Sequence, residues 1–198
     1  MAFLRSSNDA DIRPVARGGG VFVRPPQMSD YAAWAEMRAL SREYLAPWEP
    51  TWSRDELTRG AFRQRLRHYA RETREGTGYA FFVLREGDAA FLGGLSLSNV
   101  RRGVTQSATI GYWVGRPHAN QGHMTAAVSA INPFVFDLLA LHRLEAACLP
   151  SNLASIKVLE RTGFECEGLA RSYLKINGKW QDHLLYARLR EPSGRGEA

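Results

Sequence analysis

Two spacings of apolar residues alternate along the chain. Short runs that alternate or are continuously apolar fall at Val21–Arg24, Tyr79–Leu84, Phe91–Leu97, Gln106–Val114, His142–Leu149, Phe164–Ile176 and Trp180–Leu189, and each predicts a strand. Between them apolar residues return every three or four positions, as on one face of a helix. Ser29 or Asp30 caps the first such segment, which carries Tyr31, Trp34, Met37/Arg38 and Leu40/Ser41 on successive turns and ends at Pro47 and Pro50. A second helix is predicted from Ser53, with Glu56 completing a capping box and Leu57, Ala61/Phe62, Leu66 and Tyr69 turned inward. A third opens at Gly122 and runs through Met124, Ala127/Val128, Ile131, Val135 and Leu138/Leu139, with Pro133 predicting a kink or break. The fourth begins at Ser151-Asn152 and stops at Gly163.

Arg85-Glu-Gly-Asp88 and Asn177-Gly178 read as hairpin turns. The resulting order, β-α-α-β-β-β-α-β-α-β-β, predicts one α/β domain of the α+β kind over residues 21–190. Its sheet is mixed and mostly antiparallel, with about seven strands, four or so helices and a cleft between the fourth and fifth strands. Residues 1–20, which end in Arg17-Gly-Gly-Gly20, and residues 191–198 are read as flexible tails.

Composition narrows the function. No apolar run approaches the ~18 residues of a membrane span, and residues 1–20 lack the apolar core of a secretory signal. Two cysteines, Cys148 and Cys166, make neither a disulfide framework nor a zinc site, so reduced thiols, a cytoplasmic location and no metal are expected. The formal net charge of +6 favours anionic partners. Opposite its apolar face, the second helix carries Arg59, Arg63, Arg67, Arg71 and Arg74, either a solvated face or a contact for an acidic or ribosomal partner.

Candidate chemistry centres on Gly111–Ala127, GYWVGRPHANQGHMTAA. A strand, a polar turn and a helix with Gly122 at its entrance outline an anion site, because the first helix N–H groups are free and the dipole is positive there. The Lys-Ser/Thr of a nucleotide P-loop and the spaced glycines of a dinucleotide site are both lacking. A pyrophosphate is expected on the N–H groups of residues 119–125, near Arg116 or His123. Asn152-Leu-Ala-Ser155 opens the next helix. Asn152 is its cap, and Ser155, one turn on, lies on the same side. Two strands each followed by such a helix form a cleft at their C-terminal ends.

Here a resemblance enters. Arg42-Glu-Tyr-Leu-Ala-Pro-Trp-Glu-Pro50, Ser98-Asn-Val-Arg-Arg-Gly103, Gly111-Tyr-Trp, Gln121-Gly-His-Met124, Asn152-Leu-Ala-Ser155, Arg161-Thr-Gly-Phe164, Glu167-Gly168 and Asn177-Gly-Lys-Trp-Gln-Asp-His183 occur in that order. In order and spacing they resemble the GNAT superfamily of acetyl-CoA-dependent N-acetyltransferases. Within it the chain is similar to the RimJ/RimL group, which acetylates N-termini of ribosomal proteins, and more so to RimJ.

The resemblance implies that Ala119, Asn120, Gln121, Gly122, His123, Met124 and Thr125 form the pyrophosphate loop of acetyl-CoA. Ala119 stands where Gln or Arg is usual. Tyr112, Trp113 and Val114 would pair with the pantetheine arm, and Asn152 and Ser155 would bind near the sulfur. It implies direct transfer in a ternary complex, with Ser155 or Tyr173 protonating the leaving thiolate. An acidic residue used as base by some relatives has no counterpart here; Glu49 or Asp182 could act through water. Cys148 and Cys166, in apolar strands, are expected to stay protonated, and His118, His123 and His183 to serve packing or lie at the surface. The implied acceptor is the N-terminus of an Ala- or Ser-starting protein, a ribosomal one among them. A small amine acceptor, or a weakly catalytic CoA-binding or ribosome-associated protein, remain alternatives. No membrane contact or sequence-specific nucleic-acid binding is expected, and the chain is read as a monomer or homodimer.

Overall fold

A computed structural model describes residues 14–191 of the chain. Eight strands form one sheet in the order β1-β2-β3-β4-β5-β6-β8-β7. They are β1 (Ala16–Gly18), β2 (Val21–Arg24), β3 (Tyr79–Arg85), β4 (Phe91–Arg101), β5 (Ser107–Val114), β6 (Arg143–Cys148), β7 (Glu165–Ile176) and β8 (Lys179–Leu189). Every neighbouring pair is antiparallel except β5 with β6. Five helices complete the domain: α1 (Tyr31–Leu40), α2 (Arg42–Leu45), α3 (Arg59–Glu75), α4 (His123–Ala130) and α5 (Leu153–Arg161). This is the mixed, mostly antiparallel α/β arrangement that the apolar spacing predicts.

Alternation along β3 builds two cores. Phe81 and Val83 join a large cluster with Val128 and Ile131 on one face, while Phe82 and Leu84 pack on the other with Trp34 of α1 and Phe62 of α3. Phe62 is fully buried, with its ring 4.8 Å from Trp34 and 6.3 Å from Phe82. Truncating such a side chain costs about 3–5 kcal/mol.

Two expectations need correction. Residues 16–18, assigned to a tail, form β1. Gly19 and Gly20 have φ of 61° and 81° and close a two-residue hairpin that pairs Gly18 with Val21. A glycine run that reads as flexible thus supplies the positive φ values that this hairpin needs. The rest of that assignment, residues 1–13, and the tail at 192–198 lie outside the described residues. Second, α3 begins at Arg59 rather than Ser53. Thr58 is the cap, its hydroxyl accepting from the Ala61 N–H at 3.2 Å, because the carboxylate of Glu56 pairs instead with Arg65. Pro133 marks a break in its helix, one of the two outcomes its position predicts: α4 ends at Ala130 and a π-helical turn spans Phe134–Leu138.

Candidate active site

The site begins where the sheet opens. Strands β5 and β6 pair only from Ser107 with Arg143 to Thr109 with Glu145. Beyond that point they diverge, so the edge of β5 from Ile110 to Val114 faces β6 without a ladder. Backbone groups left there need partners from elsewhere. A cavity of about 680 Å³ fills the gap.

At one end of this cavity lies the turn between β5 and α4. Gly122 precedes α4 with φ of 81°, a left-handed conformation that exposes the helix entrance. The first backbone bond into the helix is from the Ala126 N–H to the Gly122 carbonyl. The N–H groups of residues 120–125 therefore remain free for a ligand. The turn is braced from within: Gln121 Nε2 donates to the Pro117 carbonyl at 3.0 Å, and His123 Nε2 lies 3.2 Å from Gln121 Oε1. Asn120 through Thr125 all line the cavity, as do Tyr112, Trp113 and Val114. Ala119 does not. Its N–H donates to the Arg116 carbonyl at 3.2 Å in a 3-10 turn. His118 lines the wall, and burial, with Arg85 and His123 adding to it, holds its imidazole below the usual range.

Midway along, Asn152 caps α5 by accepting from the Ser155 N–H at 3.1 Å. That bond turns Ser155 toward β5, where its Oγ lies 2.9 Å from the Tyr112 hydroxyl. Both line the cavity. Burial pushes the Tyr112 phenol well above its ordinary value, so it stays protonated. Cys148 is beside them at the end of β6; burial pushes its thiol up to about 11, with the Ser155 hydroxyl pulling the other way. Cys166, expected in an apolar setting, is exposed instead. His183 is buried in the cavity wall with Nδ1 3.0 Å from the Gln181 carbonyl.

Tyr173 stands at the edge of the site, its ring 5.9 Å from that of His183 in the cavity wall. The register of β7 shifts between Ala170 and Leu174, where Ser172 has φ of 48° and its N–H donates to Asp182 Oδ1 at 2.8 Å. After this bulge Leu174 and Ile176 face the cavity, while Tyr173 is 47% exposed and lines no part of it. The hydroxyl nearest Ser155 is that of Tyr112. Asp182 is occupied by the bulge and also lies off the cavity.

A second cavity, of about 460 Å³, is walled by Trp34, Arg38, Trp52, Glu56, Arg65 and Tyr69. It shares Glu49, Gly111, Tyr112 and Trp113 with the first. At this junction Arg38 Nη1 and Nη2 donate to the two oxygens of Glu49 at 2.7 and 2.8 Å, and Trp52 Nε1 donates to Glu49 at 2.8 Å. The Arg38 guanidinium lies between the Trp52 and Trp113 rings, 4.1 and 4.8 Å from their centroids. The Glu49 carbonyl accepts from the Asn177 N–H at 3.1 Å, tying this loop to the β7–β8 turn. Arg38, read from sequence only as part of the stripe of the first helix, and Trp52 are absent from the candidate site residues. The available signal was a charge on the apolar stripe of α1, four residues after Trp34.

An open seam with free N–H donors at a helix entrance, and a half-buried hydroxyl pair midway, suits a long ligand that ends in phosphates. Residues 21–165 match the acetyltransferase (GNAT) domain, and the chain belongs to that family of N-acetyltransferases, whose co-substrate is acetyl-CoA. It is 34% identical to the probable N-acetyltransferase YjcK of Bacillus subtilis, over 86% of this chain and 94% of that protein. Identity is 32% to the [ribosomal protein uS5]-alanine N-acetyltransferase of Escherichia coli, over 80% of this chain and 82% of the relative. The structure of Mycobacterium smegmatis RimJ in complex with CoA-disulfide superposes with a TM-score of 0.83 at 34% identity, covering 93% of this chain and 90% of RimJ. Among the described residues no cluster of three or more His, Cys, Asp or Glu is placed to hold a metal, and no helix is long and apolar enough to cross a membrane.

Proposed function

We propose that the protein acetylates the α-amine at the N-terminus of an Ala- or Ser-starting protein, a ribosomal protein among its targets, by direct transfer in a ternary complex. The observation that carries this is the meeting of the two cavities at Glu49 and Gly111–Trp113. A donor in the first and an amine in the second can touch only there. The uS5-alanine specificity of the E. coli relative supports the acceptor class.

In this reading the N–H groups of residues 120–125 hold the pyrophosphate and the free edge of β5 holds the pantetheine amides. The co-substrate supplies an activated acyl group as a thioester. Ser155 gives its proton to the departing sulfur, and the neutral Tyr112 phenol donates to Ser155 Oγ. An α-amine titrates near ~7.7–8.0, so much of it is free base at neutral pH. Glu49, fixed by Arg38 and Trp52, takes the amine proton through a water.

A cationic small-molecule acceptor is less well served. Both carboxylates that line the second cavity, Glu49 and Glu56, are paired with arginines, which leaves no acidic pocket for a polyamine. The half-buried pair of hydroxyls, Tyr112 and Ser155, favours catalysis over a purely binding role. The expected location is the cytoplasm, in keeping with ribosomal targets. Thiol release from acetyl-CoA with Ala- and Ser-leading peptides tests the assignment. Turnover that persists when the peptide α-amine is blocked, or absence of turnover with every such peptide, overturns it.

A further inference from the structure

The acetyltransferase reading leaves one surface unused. On α3, Arg59, Arg63, Arg67, Arg71 and Arg74 are all exposed. At 3.6 residues per turn they fall within an arc of about 120°, in a stripe about 22 Å long. Gly60 and Ala70 are the other residues in that arc, so it contains no acid. The ion pairs made by α3 among the described residues are Arg65–Glu56 and His68–Glu72, on other faces. Of the stripe residues, Arg59 lies over the Tyr31 ring, Arg71 contacts His68 Nδ1, and Arg74 Nε donates to the Ala70 carbonyl. No carboxylate neutralises any of them among the described residues. Like charges at i,i+4 destabilise a helix, and this stripe has three such pairs in succession. The apolar face of α3, with Phe62 and Leu66, already holds the helix on the sheet. Folding therefore gives no reason for the stripe.

We propose that the stripe docks the phosphate backbone of RNA. This rests on the ribosomal-protein reading above, which supplies RNA as the polyanion lying beside the substrate. The length of the stripe is enough to follow several successive phosphates of one strand. Regular one-turn spacing of point-like donors, with no aromatic residue in the arc, suits a backbone and not bases. The placement is also functional. Arg65 and Tyr69 line the second cavity from the opposite side of the same helix. RNA on the stripe would thus run one helix diameter, ~10–12 Å, from where the acceptor enters, and a protein N-terminus emerging from RNA would be delivered to that entrance.

The test uses the full chain and a fluorescein-labelled single-stranded RNA 12-mer, followed by anisotropy from 50 to 200 mM salt. Five contacts give a log–log slope of about −3.5, or about a hundredfold loss of affinity over that range. The triple variant Arg63→Gln, Arg67→Gln, Arg71→Gln should lower the slope to about −1.4. The variant should melt at or above the wild-type temperature, because repulsion is relieved, and should release CoA with a free Ala-leading peptide at the wild-type rate. Absence of RNA binding at 50 mM salt, or a triple variant that binds as the wild type does, overturns the proposal. So does equal competition by polyglutamate at matched charge, which would make the stripe a face for acidic protein. RNA binding with the expected slope but without peptide acetylation supports the stripe and overturns the acceptor assignment instead.

Discussion

The Tyr112 hydroxyl lies 2.9 Å from Ser155 Oγ, across a seam where the backbones of β5 and β6 no longer pair. Residues 43 apart in sequence thereby share one hydrogen bond inside the cavity. The Asn152 cap aims one member and β5 aims the other.

If this pair protonates the leaving sulfur, Ser155→Ala should lower kcat about a hundredfold, the lower range for general-acid catalysis. KM for acetyl-CoA should move less than about twofold. Tyr112→Phe removes one supporting hydrogen bond and should cost up to about tenfold. The double variant should be no slower than Ser155→Ala alone, since both act through one proton. Steady-state kinetics on the four proteins decide this; fully multiplicative losses would mean independent roles.

Glu49 is both a candidate base and the anchor of Arg38, which is only 7% exposed. Removing the carboxylate leaves a guanidinium enclosed by two indoles without its anion. Glu49→Ala should therefore destabilise the fold by about 2–4 kcal/mol, somewhat below a fully buried pair because Glu49 is partly solvated. Arg38→Lys should not restore the stability of the wild type, as an ammonium cannot make the two-oxygen contact. Denaturant melts measure both. A catalytic role for Glu49 adds a further signature: Glu49→Gln, assayed where it is folded, should lower kcat about a hundredfold while KM for acetyl-CoA moves less than about twofold.

The turn that leads into α4 yields a contrast. Gly122→Ala meets no atom within 4 Å but must adopt a φ of 81°. It should weaken CoA binding about five- to tenfold through about 1 kcal/mol or more of backbone strain. Ala119→Gln should leave the dissociation constant within about twofold, because Ala119 does not line the cavity. Titration calorimetry of both variants checks the pair of outcomes.

Cys148 gives the pH dependence. Burial raises its folded-state pKa to about 11, above the ordinary thiol value of about 8.5. At pH 8 its alkylation should run about a hundredfold slower than that of an ordinary thiol, and quicken about tenfold per pH unit toward pH 11. Exposed Cys166 should react first. The sign for stability follows from the raised value: the contribution of a protonated Cys148 is complete below about pH 8.5 and is lost as pH rises through 11. Acetyl-CoA should protect Cys148 and leave Cys166 open. Mass spectrometry of iodoacetamide-treated protein reads all three.

Local sequence determined more than the elements. Alternating or continuously apolar runs outlined seven of the eight strands, Asn152 announced its own cap, and Gly122 marked the entrance of α4, because each depends on neighbours within a few residues. What required the tertiary structure was every relation across the sheet. Gly19 and Gly20 read as slack until β1 found β2. The cap moved from Ser53 to Thr58 once Arg65 captured Glu56, and Tyr173 was turned outward by a bulge that Asp182 stabilises from the next strand. The partner of Ser155, the sandwich of Arg38 between Trp52 and Trp113, and the meeting of two cavities at Glu49 depend on contacts between distant residues. Periodicity reports which face of an element is apolar, and the approach of one such face to another is set by packing of the whole chain.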